Sequence, residues 1–151
     1  MINWEIKHYK DLSVDEFHDL VSLRIEVFVV EQDCPYQDLD GKDKIAFHQI
    51  GRDDSGEIVA TSRILGPGVS YQEVSIGRVV VSQKVRGRGV AHEMMEKSKE
   101  FVNSEYGNVP IRISAQEYLE KYYSGHGFEF TGKKYLEDGI PHMEMLFQPK
   151  N

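Results

Sequence analysis

The chain has 151 residues, of which 40% are hydrophobic and 28% are charged, and a formal net charge of −7 at pH 7. This length favours a single domain over residues 1–151 with room for a substantial core, and the acidic balance argues against a general nucleic-acid partner because phosphates would be repelled. The absence of a membrane-length apolar run and of a signal-peptide pattern, together with a lone cysteine, Cys34, favours a cytoplasmic protein without membrane contact.

The first half of the chain predicts a strand, a helix, a loop and three further strands. Alternation of polar and apolar residues indicates a strand over 3–9, and Ser13 with Glu16 three places on forms a capping box. The helix that follows should reach about Val30, because apolar residues recur at helical spacing. Several acidic residues mark a loop over 31–44, and the strands after it are expected over 45–51, 57–65 and 71–81.

The second half predicts two helices and three strands. Apolar residues at helical spacing indicate a helix over 90–101, and a shorter helix is expected over 116–124. Strands are expected over 109–115, 128–132 and 142–147. The resulting order, β-α-β-β-β-α-β-α-β-β, indicates an α/β domain with a mixed sheet and helices packed on it.

A glycine-rich stretch after the fourth predicted strand carries the main functional signal. Val79 to Val81 form a β-branched apolar run typical of a buried strand, and Gly87 and Gly89 allow a tight backbone path before the next helix. This arrangement directs free backbone N–H groups and the positive end of a helix dipole at an anion. Two arginines in the loop add full charges, so the stretch predicts a pyrophosphate cradle. The alternative is a glycine-rich turn that caps a helix, with its arginines in solvent.

The chain lacks residues that two well-known kinds of phosphate-binding loop require. His92 stands where a dinucleotide fingerprint needs its third glycine, and the chain contains no Gly-Lys-Ser or Gly-Lys-Thr for a P-loop. A dinucleotide- or nucleotide-binding module is therefore disfavoured.

Two segments resemble those of the Gcn5-related N-acetyltransferase (GNAT) family. The family's coenzyme A loop is similar to the stretch Arg86-Gly87-Arg88-Gly89-Val90-Ala91. Its second cofactor segment is similar to the stretch Ala115-Gln116-x-x-Leu119-x-x-Tyr122-Tyr123-x-x-x-Gly127-Phe128. Two motifs in the correct order on predicted strand–helix units are more specific than either motif alone.

The resemblance implies the acyl-CoA N-acyltransferase (GNAT) fold over nearly the whole chain, with acetyl-CoA as cofactor. It implies that Tyr123 is the general acid for the departing thiolate and that Gln116 hydrogen-bonds the pantetheine arm. The alternative for Tyr123 is a tyrosine that packs in the core. The other residues implied to bind the cofactor are Val79, Val80, Val81, Arg86, Gly87, Arg88, Gly89, Val90 and Ala91.

A narrower resemblance links both ends of the chain to the ElaA-like subgroup. It is carried by Leu23-Arg24-x-x-Val27-Phe28-Val29-Val30-Glu31-Gln32, by Cys34, Asp38, Asp40, Asp43 and His48, and by Glu137-Asp138-Gly139-Ile140-Pro141-His142 with Met145. The chain departs from many relatives at Ala91, where they have glycine, and the loop pattern allows alanine. The resemblance does not identify the acyl acceptor.

Transfer to an amine requires a proton acceptor, because an amine with an ordinary pKa of about 10.4 must lose a proton before it attacks. The candidate bases are Glu31, Asp43, Glu137 and His142. We assign Glu31 and His142 to catalysis, and Asp43 and Glu137 to acceptor binding. Backbone N–H groups around Val81 would stabilise the oxyanion if that strand bulges.

The acidic loop and Arg24 each leave two interpretations open. The loop is either a solvated segment or a surface that steers a cationic amine toward the cleft. Metal binding is rejected, because Lys42 occupies the fifth position of its calcium-like pattern. Arg24 is either a buried ion-pair partner or a clamp for a substrate carboxylate, and it is grouped here with the acceptor-binding residues.

Together these observations predict an acetyl-CoA-dependent N-acetyltransferase that works by direct attack in a ternary complex. The partner would be a small-molecule or peptide amine, and a homodimer is compatible with the sequence. The alternative, from another class, is a non-catalytic acyl-CoA-binding or sensing domain that retains the cradle without turnover. Tyr123 and the candidate bases favour the enzyme.

Overall fold

The computed structural model describes residues 1–150, and this part of the chain contains seven strands and three α-helices. The strands are β1 (Asn3–His8), β2 (Phe47–Arg52), β3 (Ile58–Leu65), β4 (Ser75–Val81), β5 (Ile111–Gln116), β6 (Phe128–Glu137) and β7 (Ile140–Phe147). The helices are α1 (Val14–Ile25), α2 (Val90–Tyr106) and α3 (Glu120–Ser124). This order confirms the predicted β-α-β-β-β-α-β-α-β-β arrangement.

The first helix begins at the predicted capping box and ends in a wider turn. The Ser13 hydroxyl accepts a hydrogen bond from the Glu16 backbone N–H (3.0 Å), and the Glu16 carboxylate accepts one from the Ser13 N–H (2.9 Å). The α-helix stops at Ile25, and the chain continues as a π-helical turn over Glu26–Glu31. Such turns occur often at functional sites, because they change the direction of the side chains that follow.

The last two strands are longer than predicted and form a tight hairpin. Strand β6 continues to Glu137 and β7 begins at Ile140, so only Asp138 and Gly139 remain in the turn. These two residues have φ values of +51° and +76°. Asp-Gly is a favoured sequence for such a two-residue turn. The prediction of a longer loop between residues 132 and 142 was therefore wrong.

Strand β4 is shorter than predicted, because it begins at Ser75 rather than at residue 71. The Gly68 N–H donates a hydrogen bond to the Tyr71 carbonyl (2.7 Å) and closes a turn ahead of the strand. The turn keeps Tyr71 out of the sheet.

The strands form two antiparallel sheets that meet at one point. The first sheet has the order β1-β2-β3-β4 and the second the order β5-β7-β6. A single parallel bridge joins Val74 to Ile111, supported by a hydrogen bond from the Arg112 N–H to the Val74 carbonyl (2.9 Å). Within residues 1–150, β4 and β5 are not paired as strands beyond this bridge. The two strands therefore diverge and leave one edge of β4 open.

Helices α1 and α2 cover opposite faces of the first sheet. Leu20 of α1 packs in a cluster with Ile58, whereas Met94 of α2 packs with Val59. Consecutive strand residues point to opposite faces, so these two clusters lie on either side of β3. All four side chains are at most 9% exposed, and burial of each contributes roughly 1.5–3 kcal/mol. The packing fixes the start of α2 beside the end of β4.

Among residues 1–150, none of the helices combines the length and apolarity needed to cross a membrane.

Candidate active site

The divergence of β4 and β5 opens a groove of about 360 Å³, here called the inter-sheet groove. One wall is the open edge of β4, and the π-helical turn faces it. The predicted cofactor residues in this groove therefore share one surface with residues of the π-helical turn and of α3. The lining residues are Val27, Phe28, Glu31, Gln32, Val79, Val80, Val81, Arg86, Ala91, Gln116, Tyr118, Leu119 and Tyr122.

The glycine loop lies at the end of the groove where α2 begins. Gly87 and Gly89 have φ values of +80° and +75°, which residues with a side chain rarely adopt. Gly89 is the N-cap of α2 and offers no side-chain acceptor, so the first N–H groups of the helix are free to bind another acceptor. The 17-residue helix adds the positive end of its dipole here. The geometry suits a phosphate group.

Arg86 connects the two sides of the groove. Its guanidinium donates two hydrogen bonds to the Glu31 carboxylate (2.7 and 2.9 Å), and its Nε donates one to the Val81 carbonyl (3.0 Å). The hydrogen bonds from Arg86 outweigh the effect of burial and lower the pKa of Glu31. Glu31 is therefore ionised and engaged by Arg86, whereas the side chain of Arg88 is exposed to solvent.

Strand β4 bulges at Arg78 and Val79, upstream of the position expected near Val81. Both bulge residues stand opposite Ser62 of β3, and Arg78 adopts a φ of +49°. Because the Val81 carbonyl points into the groove, strand alternation places the backbone groups of Val79 on the same edge. That edge can supply an N–H donor to a carbonyl oxygen in the groove.

A second space of about 100 Å³, here called the central cavity, continues from the groove toward the β6–β7 hairpin. Tyr123 lines it, and its side chain is 6% exposed. Burial raises the pKa of the phenol, so Tyr123 is protonated at neutral pH. Within residues 1–150, no hydrogen-bond partner engages the Tyr123 hydroxyl. The phenol is therefore available as a donor to a group in the cavity.

His142 and Glu137 form a pair at the hairpin end of the central cavity. The His142 Nδ1 lies 2.7 Å from the Ile140 carbonyl, and its Nε2 lies 3.3 Å from the Glu137 carboxylate. A carbonyl only accepts hydrogen bonds, so Nδ1 carries a proton and the neutral imidazole has its lone pair at Nε2. One additional proton would therefore lie between Nε2 of His142 and the Glu137 carboxylate. The pair has the geometry of a proton acceptor.

Arg24 and Asp43 lie beneath the site in a buried ionic cluster, with exposed fractions of 1% and 2%. The Arg24 guanidinium donates to Asp43 (2.9 Å) and to Asp38 (2.8 Å). Burial opposes ionisation of Asp43, but the hydrogen bonds from Arg24 outweigh it and lower the pKa of that carboxyl. Neither Arg24 nor Asp43 lines the groove or the central cavity. The geometry favours the ion-pair interpretation of Arg24 over the substrate clamp.

Several lining residues were not assigned a role from the sequence, and three of them have polar side chains that could contact a ligand. Gln32 follows the π-helical turn and hydrogen-bonds the predicted residue Gln116 (3.3 Å). Ser114 precedes Gln116 by two residues, so strand alternation could have placed it on the same face. Tyr36 lies in the acidic loop, and no local pattern distinguishes it from a solvated residue.

Comparison with known proteins places this geometry in a family. A family model described as an acetyltransferase (GNAT) domain matches residues 8–148. The Escherichia coli protein ElaA is 41% identical over 147 residues, which cover 96% of this chain and 95% of that protein.

Solved structures show the same relationship. An acyl-CoA N-acyltransferase from Pseudomonas aeruginosa superposes with a TM-score of 0.91 at 40% identity, covering 97% of this chain and 99% of the other. The crystal structure of E. coli ElaA has a TM-score of 0.91 at 39% identity, covering 98% of this chain and 100% of the other.

Proposed function

The chain belongs to the GNAT acetyltransferase family and is a GNAT-type acyltransferase, and on that premise we propose that it transfers the acetyl group of acetyl-CoA to a primary amine. The family, its fold and the ElaA-like resemblance predicted from the sequence are thereby confirmed. One observation carries the proposal. The open edge of β4, the start of α2 and the Tyr123 hydroxyl all border one continuous cleft.

The residues present fit an acyl-CoA. The uncapped N–H groups after Gly89 and the charge of Arg88 suit the pyrophosphate, and the open edge of β4 suits the amide groups of the pantetheine arm. Gln116 borders both the groove and the central cavity, where it can hydrogen-bond the same arm. Acetyl-CoA supplies a thioester that an amine can attack.

The proton of the attacking amine is accepted by the His142–Glu137 pair, directly or through a water molecule. Among the four candidate bases, this pair faces the central cavity, whereas Glu31 is held by Arg86 and Asp43 is buried with Arg24. Its geometry offers an imidazole lone pair beside a carboxylate. In this proposal Glu31 orients Arg86 at the groove.

Two further groups act on the reacting atoms. A backbone N–H of the β4 bulge stabilises the negative charge that develops on the carbonyl oxygen. The Tyr123 hydroxyl donates its proton to the departing sulfur, since the buried phenol remains protonated. The amine nitrogen forms the new bond to the carbonyl carbon as the carbon–sulfur bond breaks, without a covalent enzyme intermediate.

The experiment has a binding arm and a transfer arm. Acetyl-CoA at one hundred times its Kd should stabilise the protein by about 2.7 kcal/mol, whereas NAD and ATP at the same concentration should shift the Tm much less. Thiol release from acetyl-CoA should then depend on an added amine, and mass spectrometry should identify the N-acetyl product. A larger Tm shift with a nucleotide would remove the acyl-CoA assignment. Tight binding of acetyl-CoA without transfer to any amine would favour the sensing domain.

A further inference from the structure

The central cavity opens into a larger space of about 500 Å³ on the side away from the groove, here called the outer cavity. The two cavities share a stretch of lining that includes Tyr36, Arg78, Ser114 and Glu137. The cleft therefore passes from Tyr123 and His142 through this shared stretch to Lys42 and Ser70 at its far end. An acceptor whose amine reaches the acetyl group would extend its remainder into the outer cavity.

Three aspartates of the acidic loop, Asp38, Asp40 and Asp43, contribute no net charge to this cleft together with their arginine partners. Asp38 and Asp43 pair with Arg24, at 2.8 and 2.9 Å. Asp40 pairs with Arg63 at 2.7 Å and with Arg78 at 3.3 Å. The cluster thus combines three carboxylates with three guanidinium groups and is neutral as a whole.

This neutrality changes the expectation drawn from the sequence. A loop with unpaired carboxylates would attract a polycationic acceptor, but every carboxylate of this cluster has a guanidinium partner. Charge selection must therefore come from groups outside the cluster.

The remaining charges lie at opposite ends of the cleft. Glu137 and Asp138, at the hairpin turn, border both cavities and are exposed. Lys42 lines only the outer cavity, where its ammonium donates a hydrogen bond to the Ser70 hydroxyl (2.9 Å). Within residues 1–150, Lys42 has no carboxylate partner. The cleft is negative near the reacting centre and positive at its far end.

We propose that the acceptor is a primary amine that carries an anionic group, a carboxylate or a phosphate, at its other end. Its ammonium group faces Glu137 and His142, where it loses a proton and attacks, and its anionic group binds the Lys42 ammonium and the Ser70 hydroxyl. This inference rests on the proposed function. In the transfer, the ammonium first gives one proton to the His142–Glu137 pair, and the free amine nitrogen then bonds to the acetyl carbon as the carbon–sulfur bond breaks. Coenzyme A leaves with the proton of Tyr123, and the second proton lost by the nitrogen restores the Tyr123 phenol through water.

The alternatives are less well matched. A diamine would place its second cation beside Lys42, where like charges repel. An amine with a neutral tail would leave the Lys42 charge without a counterion in a partly enclosed space, and would gain no charge-assisted hydrogen bond.

The test uses acceptors matched in length. We compare γ-aminobutyrate, γ-aminobutyramide and putrescine, and their longer counterparts ε-aminocaproate, its amide and 1,6-diaminohexane, by thiol release at fixed acetyl-CoA. Phosphoethanolamine against ethanolamine separates a phosphate from a carboxylate. The anionic members should have a kcat/KM about tenfold or more above that of their amides, as expected for one charge-assisted hydrogen bond, and further above that of the diamines.

Variants of Lys42 test whether this residue causes the preference for anionic acceptors. Lys42→Gln should remove the preference for anionic acceptors over their amides, mainly by raising the KM of the anionic acceptors. Lys42→Glu should favour the diamines. Lys44→Gln is the matched control, because Lys44 is exposed two residues away and does not line the outer cavity.

The two proposals can fail separately. Equal use of acids, amides and diamines, or a uniform loss across all acceptors in Lys42→Gln, would overturn the anionic acceptor and leave the acetyltransferase in place. No transfer to any amine would overturn the proposed function and this inference with it.

Discussion

Tyr123 combines burial with access to the cleft, and no described residue uses its hydroxyl. A tyrosine that only packs in the core would contribute through its ring, which contacts Phe128 edge to face at 5.8 Å between centroids. A general acid would contribute through its hydroxyl in the transition state. A substitution that removes only the hydroxyl distinguishes these two roles.

Tyr123→Phe should lower kcat by about 10²–10⁴ and change the Kd of acetyl-CoA by no more than a few-fold, since an interaction made mainly in the transition state affects turnover rather than binding. Steady-state kinetics and calorimetric titration measure the two quantities. The control is a melting curve of the variant without ligand, which should match that of the wild type. Turnover at the wild-type rate would take the acid role from Tyr123.

At the scale of the element, the glycine loop and the start of α2 form one unit. The positive φ of Gly89 and the uncapped N–H groups after it act through the backbone, whereas Arg88 acts through its charge. In the proposed cradle, backbone and charge would make separate contributions to the affinity for a phosphate group.

Gly89→Val should abolish acetyl-CoA binding, because a β-branched residue at φ +75° strains the loop by about 1–3 kcal/mol and its side chain would block close approach of the ligand. Arg88→Ala should weaken binding less and flatten its dependence on salt concentration. Titration calorimetry at low and high salt measures both effects. Unchanged affinity in Gly89→Val would show that the cradle lies elsewhere.

Glu16, at the start of α1, makes the stability of the fold depend on pH. Burial opposes ionisation of Glu16, but the Ser13 N–H, Lys7 and Arg52 outweigh it and lower the pKa of Glu16 from 4.5 to about 2. The unfolded chain therefore binds this proton at a higher pH than the folded protein. The resulting stability is complete above pH 4.5 and is lost as the pH falls toward about 2.

Glu16→Gln should accordingly lower the free energy of unfolding at pH 7, and the difference from the wild type should shrink steadily below pH 4.5. Urea denaturation across this pH range measures the difference. Glu129→Gln, at an exposed position of β6, is the control and should follow the wild type. A constant difference at every pH would contradict a stabilising charge on Glu16.

At the scale of the whole molecule, the order of the elements and the glycine loop ahead of α2 were predictable from the sequence. The order of the elements follows from hydrophobic periodicity, and the loop follows from the positions of Gly87 and Gly89. Both are local properties of the sequence. The open edge of β4 was not predictable, because it depends on where β5 stops pairing with it.

Long-range partners account for the other differences. From the sequence alone, Asp43 was assigned to acceptor binding. The fold places Arg24 and Arg63 beside it, and Asp43 pairs with both. His142 and Glu137 become a pair because a two-residue turn returns β7 alongside β6, and that turn was read as a longer loop. Side-chain pairing across elements requires the tertiary arrangement, which no spacing along one segment contains.

The fate of an isotopically labelled acetyl group shows whether the acetyl group passes directly from acetyl-CoA to the acceptor. Labelled acetyl-CoA is mixed with the protein and with the best acceptor from the amine panel, and the reaction is quenched within one turnover and analysed by mass spectrometry. Direct transfer predicts that the label appears in an amide of the acceptor, that the protein remains unlabelled, and that Tyr123→Phe forms the same product more slowly. Label retained on the protein, or an acceptor that stays unlabelled while acetyl-CoA is bound, would contradict direct transfer in this cleft.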